Sequence, residues 1–366
     1  MNAERADKHR RLAAWLDPRG LDGVVLTRRC NFSWATGGAH NHVAEAGDVG
    51  VSSLVARADG AAVVANNIEA TRLRAEDLPE DVPVVEYPYY DADRRAEAFA
   101  EATGGGRFAA DAPLEGLEPA PTDAAFDRLR WSLTPAEIDR YRALGRDVAC
   151  AVEGAARAAA PGETEADAAG RLAGALRAAG CVPWVLLVGA DERIARHRHP
   201  LPTGAEVRHA LMLVAVAERA GLLAACTRLV AFGGLSDDLA RRHRAVVAVD
   251  AALIGATRPA ATLGEAFAAA QAAYAREGFP EEWRRHHQGG SIGYLPREVK
   301  AAPGSDVPVL ADQAFAWNPS VAGTKCEDTV LCTDAGCEVL TRTGRWPEVD
   351  AGAASGGPRR PDILVL

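Results

Sequence analysis

Lysine is nearly missing from this chain. Only Lys8, Lys300 and Lys325 occur, and arginine supplies the remaining basic charge. The 41 basic residues are outweighed by 50 acidic ones, for a formal net charge of −9. That balance argues against partners such as nucleic acid or an anionic membrane surface. No apolar run approaches the roughly 20 residues of a bilayer span. Residues 1–12 are charged, with no apolar core ahead of a cleavage site, so a cytoplasmic protein without a secretory leader is expected. The seven cysteines (30, 150, 181, 226, 326, 332 and 337) are odd in number and contain no CxxC. Neither a disulfide framework nor a zinc knuckle is suggested, and free thiols are expected. Glycine strings at 103–106 and 289–293 are not followed by phosphate-loop chemistry, which argues against a nucleotide site.

What is present fits a globular protein of more than one domain. The chain has 366 residues, 48% of them hydrophobic, which is too long for one ordinary core. An amphipathic opening helix is expected around Ala13–Leu16, with strands at Gly23–Thr27, Val51–Ala56 and Gly60–Ala65. This alternation predicts an α/β domain over 1–132. The Gly- and Pro-rich stretch Gly104–Thr122 reads as loop or weak strand. Thr134, Pro135 and Glu137 form a helix start, which sets the boundary of a second domain over 133–346.

That second domain is predicted to hold helices at Pro135–Ala160, from Thr164 to Gly180, at Asp238–Leu253 and at Leu263–Glu277. The Thr164 helix has Asp167 at capping-box distance. Strands are expected at Val185–Val188, His209–Glu218, Leu222–Phe232, Val307–Trp317 and Thr329–Thr333. The segment Arg219-Ala220-Gly221 marks a hairpin. Residues 347–366 read as a disordered tail.

Several local strings resemble the creatinase / aminopeptidase P (M24) family, in family order and along nearly the whole chain. Cys30–Gly37 is similar to its NxxYLTG segment, and Leu129–Ile138 to its interdomain linker. Pro161–Glu165 is similar to PGxTE, and Thr227-Arg228 to DxTR. Gly289–Gly293 is similar to GHGIG, Asn318-Pro319 to EP, and Gly323–Leu331 to GxRxEDTxL. The resemblance implies an α+β protein: an N-terminal creatinase-like α/β domain, a C-terminal pita-bread domain, and a homodimer.

The family holds two metal ions on two Asp, one His and two Glu. Carried over one position at a time, these ligands fall on Val214, Ala225, Gly290, Asn318 and Glu327. Only Glu327 keeps a carboxylate, and one carboxylate cannot hold two divalent ions. No metal and no other cofactor is therefore expected.

The residues that remain suggest a metal-independent enzyme cleaving a C–N bond in a small amino-acid-like substrate, as the resemblance to creatinases implies. A non-catalytic binding protein and a metallopeptidase with displaced ligands are the alternatives. His197 and His199 share one face if their segment is extended. The resemblance implies an acid/base histidine in this segment, matched by His197 on distance to Val214 and by His199 on adjacency to Pro200, the latter slightly preferred; a basic surface loop is the plain alternative. An imidazole suits proton transfer near neutrality. Arg297, in a string similar to the creatinase GRE, is expected to bind a substrate carboxylate, as the resemblance implies, or else to form a structural salt bridge.

Glu327 is expected to face the former metal cavity, or else to pair with Arg228. Thr227 and Asn318 offer hydrogen bonds to substrate. Of His286 and His287, only one should face the cavity if the segment is extended. His40, Asn41 and His42 read as a polar loop, Asp328 as structural, and Cys226 as a packed strand cysteine.

Overall fold

A computed structural model describes residues 2–351 and 358–366. They cluster into two units: Met1–Arg130 with Thr134–Glu137, and Trp131–Leu133 with Ile138–Leu366.

The first unit is built on a six-stranded mixed sheet in the order β4-β3-β2-β1-β5-β6. Its strands are β1 (Gly23–Arg28), β2 (Val49–Arg57), β3 (Gly60–Asn66), β4 (Val84–Tyr87), β5 (Phe108–Ala110) and β6 (Ala120–Pro121). The last two are the weak strands of the Gly- and Pro-rich stretch. The opening helix runs over Ala3–Leu16, much longer than the apolar pattern predicts. Its first turns bury charge instead of hydrocarbon. Lys8 is fully buried, with its Nζ 2.6 Å from Glu4 and 2.8 Å from Glu137, so no hydrophobic period marks that face.

The second unit contains a nine-stranded sheet. Its strands are β7 (Val182–Ala190), β8 (Ala210–Arg219), β9 (Leu222–Ala231), β10 (Gly289–Ser291), β11 (Val299–Lys300), β12 (Gln313–Trp317), β15 (Glu327–Thr333), β16 (Gly336–Val339) and β19 (Leu364–Val365). Two small ribbons complete the strands, β13 (Ser320–Val321) with β14 (Thr324–Lys325) and β17 (Glu348–Val349) with β18 (Arg360–Pro361). The main path runs β11-β10-β12-β15-β9-β8-β7, with β16 on β15 and β19 on β9. The β8–β9 hairpin turns through Ala220 and Gly221, both at positive φ (51° and 81°), as a tight two-residue turn requires.

Helices span Pro135–Arg157, Glu165–Ala178, Asp237–Ala256 and Leu263–Arg276. Thr164 closes a capping box with Asp167, and Thr262 closes one with Glu265. One sheet face, carrying Phe315, Trp317, Val330 and Cys332, packs against the helices Asp237–Ala256 and Leu263–Arg276 as the main core. Asp328, on that face, is held there by Arg228 (3.0 Å) and Arg360 (2.6 Å).

Two sequence expectations fail here. The strand expected over Val307–Trp317 begins only at Gln313. Before it the chain turns at Asp312 (φ 58°), and the carbonyl of Val307 and the amide of Val309 bond to Leu263 and Ala261 instead of a sheet partner. The disordered tail is also corrected outside 352–357, which lie beyond the described residues. Composition hid three anchors there: β17 pairs with β18, β19 extends the sheet beside β9, and Arg360 is buried against Asp250 at 2.6 Å.

Candidate active site

The antiparallel registers align one row of residues across four strands. Leu187 on β7 faces Val214 on β8, Val214 faces Thr227 on β9, and Thr227 faces Glu327 on β15. Directly opposed residues share a sheet face, so Glu327 stands in line with Val214, the position to which the sequence resemblance assigns a first aspartate. This face is opposite the helix-packed one, and it borders a cavity of about 280 Å³. Val185, Leu187, Val214 and Val216 form its apolar wall. His199, His287, Arg297, Asn318, Lys325 and Glu327 form its polar wall.

Glu327 is the electrostatic centre. Lys325 Nζ lies 2.7 Å from Glu327 Oε2, with side-chain exposures of 4% and 2%. Thr227 Oγ1 donates to the same oxygen at 2.7 Å, and Arg297 Nη2 stands 3.4 Å from Oε1. Burial works against this carboxylate, but Lys325 and Arg297, with the hydrogen bonds of Lys325 and Thr227, hold it below the usual glutamate range. Arg228, the alternative partner considered from sequence, bonds to Asp328 instead. Neighbouring strand residues face opposite ways, which sends Asp328 to the core and Glu327 to the cavity.

Lys325 was not weighed as a site residue in the sequence. Its signal was there: one of three lysines, two positions from the retained acid in an extended segment, hence on the same side.

Three imidazoles converge beside this pair. The potential ligand atoms of His199, His286 and His287 lie within 4.8 Å of one another. His286 Nε2 is 3.0 Å from His199 Nε2, so one ring donates and the other accepts. His286 Nδ1 is buried without a partner. With His286 as the Nε2–H donor its Nδ1 is a bare acceptor, which is better tolerated there than an orphan N–H; with His199 as the donor, His199 Nδ1 keeps a free lone pair. Burial lowers all three imidazole pKa values, with nearby cations adding to it: His286 to about 2, His287 to about 4, and His199 below its usual value.

Of the adjacent pair, His287 lines the cavity and His286 lies buried behind it. The rings of His286 and His287 stack, with centroids 4.5 Å apart, because the chain leaves the short helix Glu282–Arg285 and is not yet in a strand. His197 is exposed and away from the cavity, while His199 lines it.

Of the other sequence candidates, Asn318 is buried at 2% exposure and its Oδ1 has no partner. Arg297 is half-buried, donates from Nη1 to Pro296 O at 2.6 Å, and leaves Nε unpartnered. Asn41 is a structural residue of the first unit, its Nδ2 donating to Thr27 O (2.9 Å) and Ser52 O (2.8 Å). His40 lies 3.4 Å from Asp77. Cys226 is fully buried, and burial pushes its thiol pKa far up, which removes it as a nucleophile.

The positions that the sequence resemblance assigns to metal ligands do not fit a pair of metal ions. Val214 has no donor atom. The amide and carbonyl of Ala225 are both engaged by Thr329 Oγ1, at 2.7 and 3.0 Å. Gly290 sits at φ +149°, where a Cβ would stand 2.0 Å from Val299 O, so no side chain can be built there without moving backbone. Glu327 is already neutralised by Lys325.

Comparisons with known proteins agree with this architecture. Residues 139–334, more than half of the chain, match the sequence model of metallopeptidase family M24. No curated protein matches by sequence. Among solved structures, the dipeptidase PepE from Mycobacterium ulcerans superimposes with a TM-score of 0.75 at 23% identity, covering 99% of this chain and 98% of that one. The Xaa-Pro dipeptidase from Bacillus anthracis gives 0.77 at 20% identity, covering 99% and 100%. The N-terminal domain of FACT complex subunit SPT16 from Cicer arietinum gives 0.66 at 13%, covering 92% and 95%. Taken with the two-unit α+β architecture, these matches establish the pita-bread fold, and the chain belongs to metallopeptidase family M24.

Proposed function

We propose that this chain is a metal-independent hydrolase or lyase of the M24 lineage, cleaving a C–N bond in a small, carboxylate-bearing, amino-acid-like molecule. One observation carries the reading: the only family-position carboxylate is paired with a buried ammonium, Lys325, inside the cavity. A fixed cation therefore stands where the family's acids would gather metal charge.

The cavity is small and two-sided, suiting a short apolar body with a polar head. Arg297 and Lys325 present positive charge to a substrate carboxylate. Asn318 Oδ1 awaits a donor, such as the N–H of an amino or amidino group. His199 carries the proton chemistry. Its lowered pKa keeps it neutral at pH 7, and its partner His286 fixes the ring. In a hydrolysis, His199 takes a proton from water at Nδ1 as oxygen bonds to the substrate carbon, in the tautomer whose Nε2–H donates to His286 Nε2. The same proton then passes to the departing nitrogen. A metal would lower the pKa of water from 15.7 to about 7. Without that help an ordinary peptide bond is a poor target, so the substrate class is one with an activated or strained C–N bond. A cytoplasmic homodimer belongs to the same proposal, on the strength of the family resemblance.

The histidine cluster favours a second reading, a metallopeptidase with displaced ligands that holds one transition-metal ion on three imidazoles. Its low pKa values leave the lone pairs free at pH 7. Against it, Lys325 and Arg297 face the same cluster. Their positive charge already lowers the imidazole pKa values, and it would repel a bound dication in the same way.

The test is a screen of amino-acid amidines and N-substituted amino acids, with bound metal measured on the purified protein. Turnover that survives a chelator and falls in His199→Ala supports the proposal. Turnover lost to chelator and restored by stoichiometric zinc, manganese or cobalt supports the second reading. Tight binding without turnover would overturn the catalytic part of both.

A further inference from the structure

We propose that Cys332 and Cys337 form a reversible cross-strand disulfide, so that the hairpin of β15 and β16 is a site of thiol oxidation. The two residues are register partners, and the turn between them fixes that register. Leu340 N donates to Thr329 O at 2.9 Å, which makes Thr329/Leu340 a hydrogen-bonded pair. Pair types alternate along an antiparallel ladder. Leu331/Glu338 and Thr333/Gly336 are thus hydrogen-bonded, and Cys332/Cys337 is the closer, non-hydrogen-bonded kind. Such pairs have Cα atoms about 4.5 Å apart, inside the roughly 4.4–6.8 Å span that a disulfide bridges.

The side chains agree with the backbone. Both thiols project to the helix-facing side of the hairpin, and both approach Thr257 O, Cys332 at 3.8 Å and Cys337 at 3.2 Å. Their contact lowers the Cys332 thiol pKa and, with burial, raises that of Cys337, so Cys332 is the one held towards its thiolate form. Cys332 is fully buried and Cys337 half-buried, so a reagent reaches Cys337 first. No other pair of cysteines faces across a ladder among the described residues.

The chemistry is thiol–disulfide exchange with a small-molecule disulfide such as oxidised glutathione. The Cys337 thiol passes its proton to the Cys332 thiolate as its sulfur bonds to one glutathione sulfur, and the other glutathione leaves as a thiolate that takes that proton from Cys332. The Cys332 thiolate then attacks the Cys337 sulfur of the mixed disulfide and expels the second. Two protein thiols are oxidised and one small disulfide is reduced to two thiols. Cys332 and Glu327 point to opposite faces of β15, so the bond forms without touching the cavity.

The full chain is incubated with oxidised glutathione, and its thiols are counted after denaturation, with peptide mapping by mass spectrometry. The expected result is a fall from seven thiols to five. A peptide link between Cys332 and Cys337, about 2 Da lighter than the reduced pair, accompanies it, and dithiothreitol reverses both. Cys337→Ser is expected to keep all six of its thiols. Seven thiols persisting, a stable glutathione adduct without ring closure, or a bridge to another cysteine would overturn the proposal.

Discussion

Replacing Lys325 with methionine tests the electrostatic heart of the site. The substitution keeps the length and apolar stem of the side chain and removes only the ammonium. Glu327 is left 1% exposed, without the partner that stood 2.7 Å from its Oε2. Breaking a buried pair by removing one member costs about 3–5 kcal/mol. Here Thr227 at 2.7 Å and Arg297 at 3.4 Å still serve the carboxylate, so the loss should fall near the low end, about 2–3 kcal/mol.

Urea unfolding reads this as a lower midpoint with an unchanged slope. The double variant Lys325→Met/Glu327→Leu removes both charges and should recover most of the loss, because an apolar replacement of a buried pair is often neutral. The pH dependence has a definite sign. The folded pKa of Glu327 is depressed, so the pair's contribution is complete above the unfolded value of about 4.5 and is lost as pH falls through the folded value. The gap between wild type and Lys325→Met should therefore close in acid. A single variant as stable as wild type at pH 7, or a double variant no better than the single, would refute the reasoning.

Three further outcomes are expected. His286, 8% exposed and with its pKa lowered to about 2, stays neutral in the fold while the unfolded ring protonates below about 6.5. Stability is then complete above 6.5 and falls with acid, by at most about 2 kcal/mol at pH 5. His286→Phe should flatten that slope in unfolding curves measured at pH 7.5 and 5. Arg360→Leu leaves Asp250 and Asp328 buried without the guanidinium 2.6 Å from each, and should cost about 3–5 kcal/mol, seen as a lower thermal midpoint. Gly290→His, which places the residue type that the sequence resemblance assigns to this position, should lower stability and add no metal binding by calorimetry. Its Cβ meets Val299 O at 2.0 Å, and stable folding with tight zinc uptake would contradict this.

Most of the second unit was legible because its signals are local. The capping box at Thr164, the β8–β9 turn and the apolar strands each declare themselves within a few residues. The opening helix and the tail were not legible in full. Their anchors, Lys8 and Arg360, are buried charges whose partners lie far along the chain, at Glu137 and at Asp250 and Asp328. Composition reads such residues as solvent-facing.

The same division holds at the site. The sequence by itself determined that Val214, Ala225 and Gly290 offer no side-chain ligand, because donor chemistry is a property of residue type. Only the tertiary structure decided what replaces them. Which of His197 and His199 enters the cavity, whether His286 and His287 part or stack, and whether Glu327 answers to Arg228 or to Lys325 all depend on strand register and on the backbone path between elements. Those are set by packing between residues up to a hundred positions apart, and no local pattern encodes them.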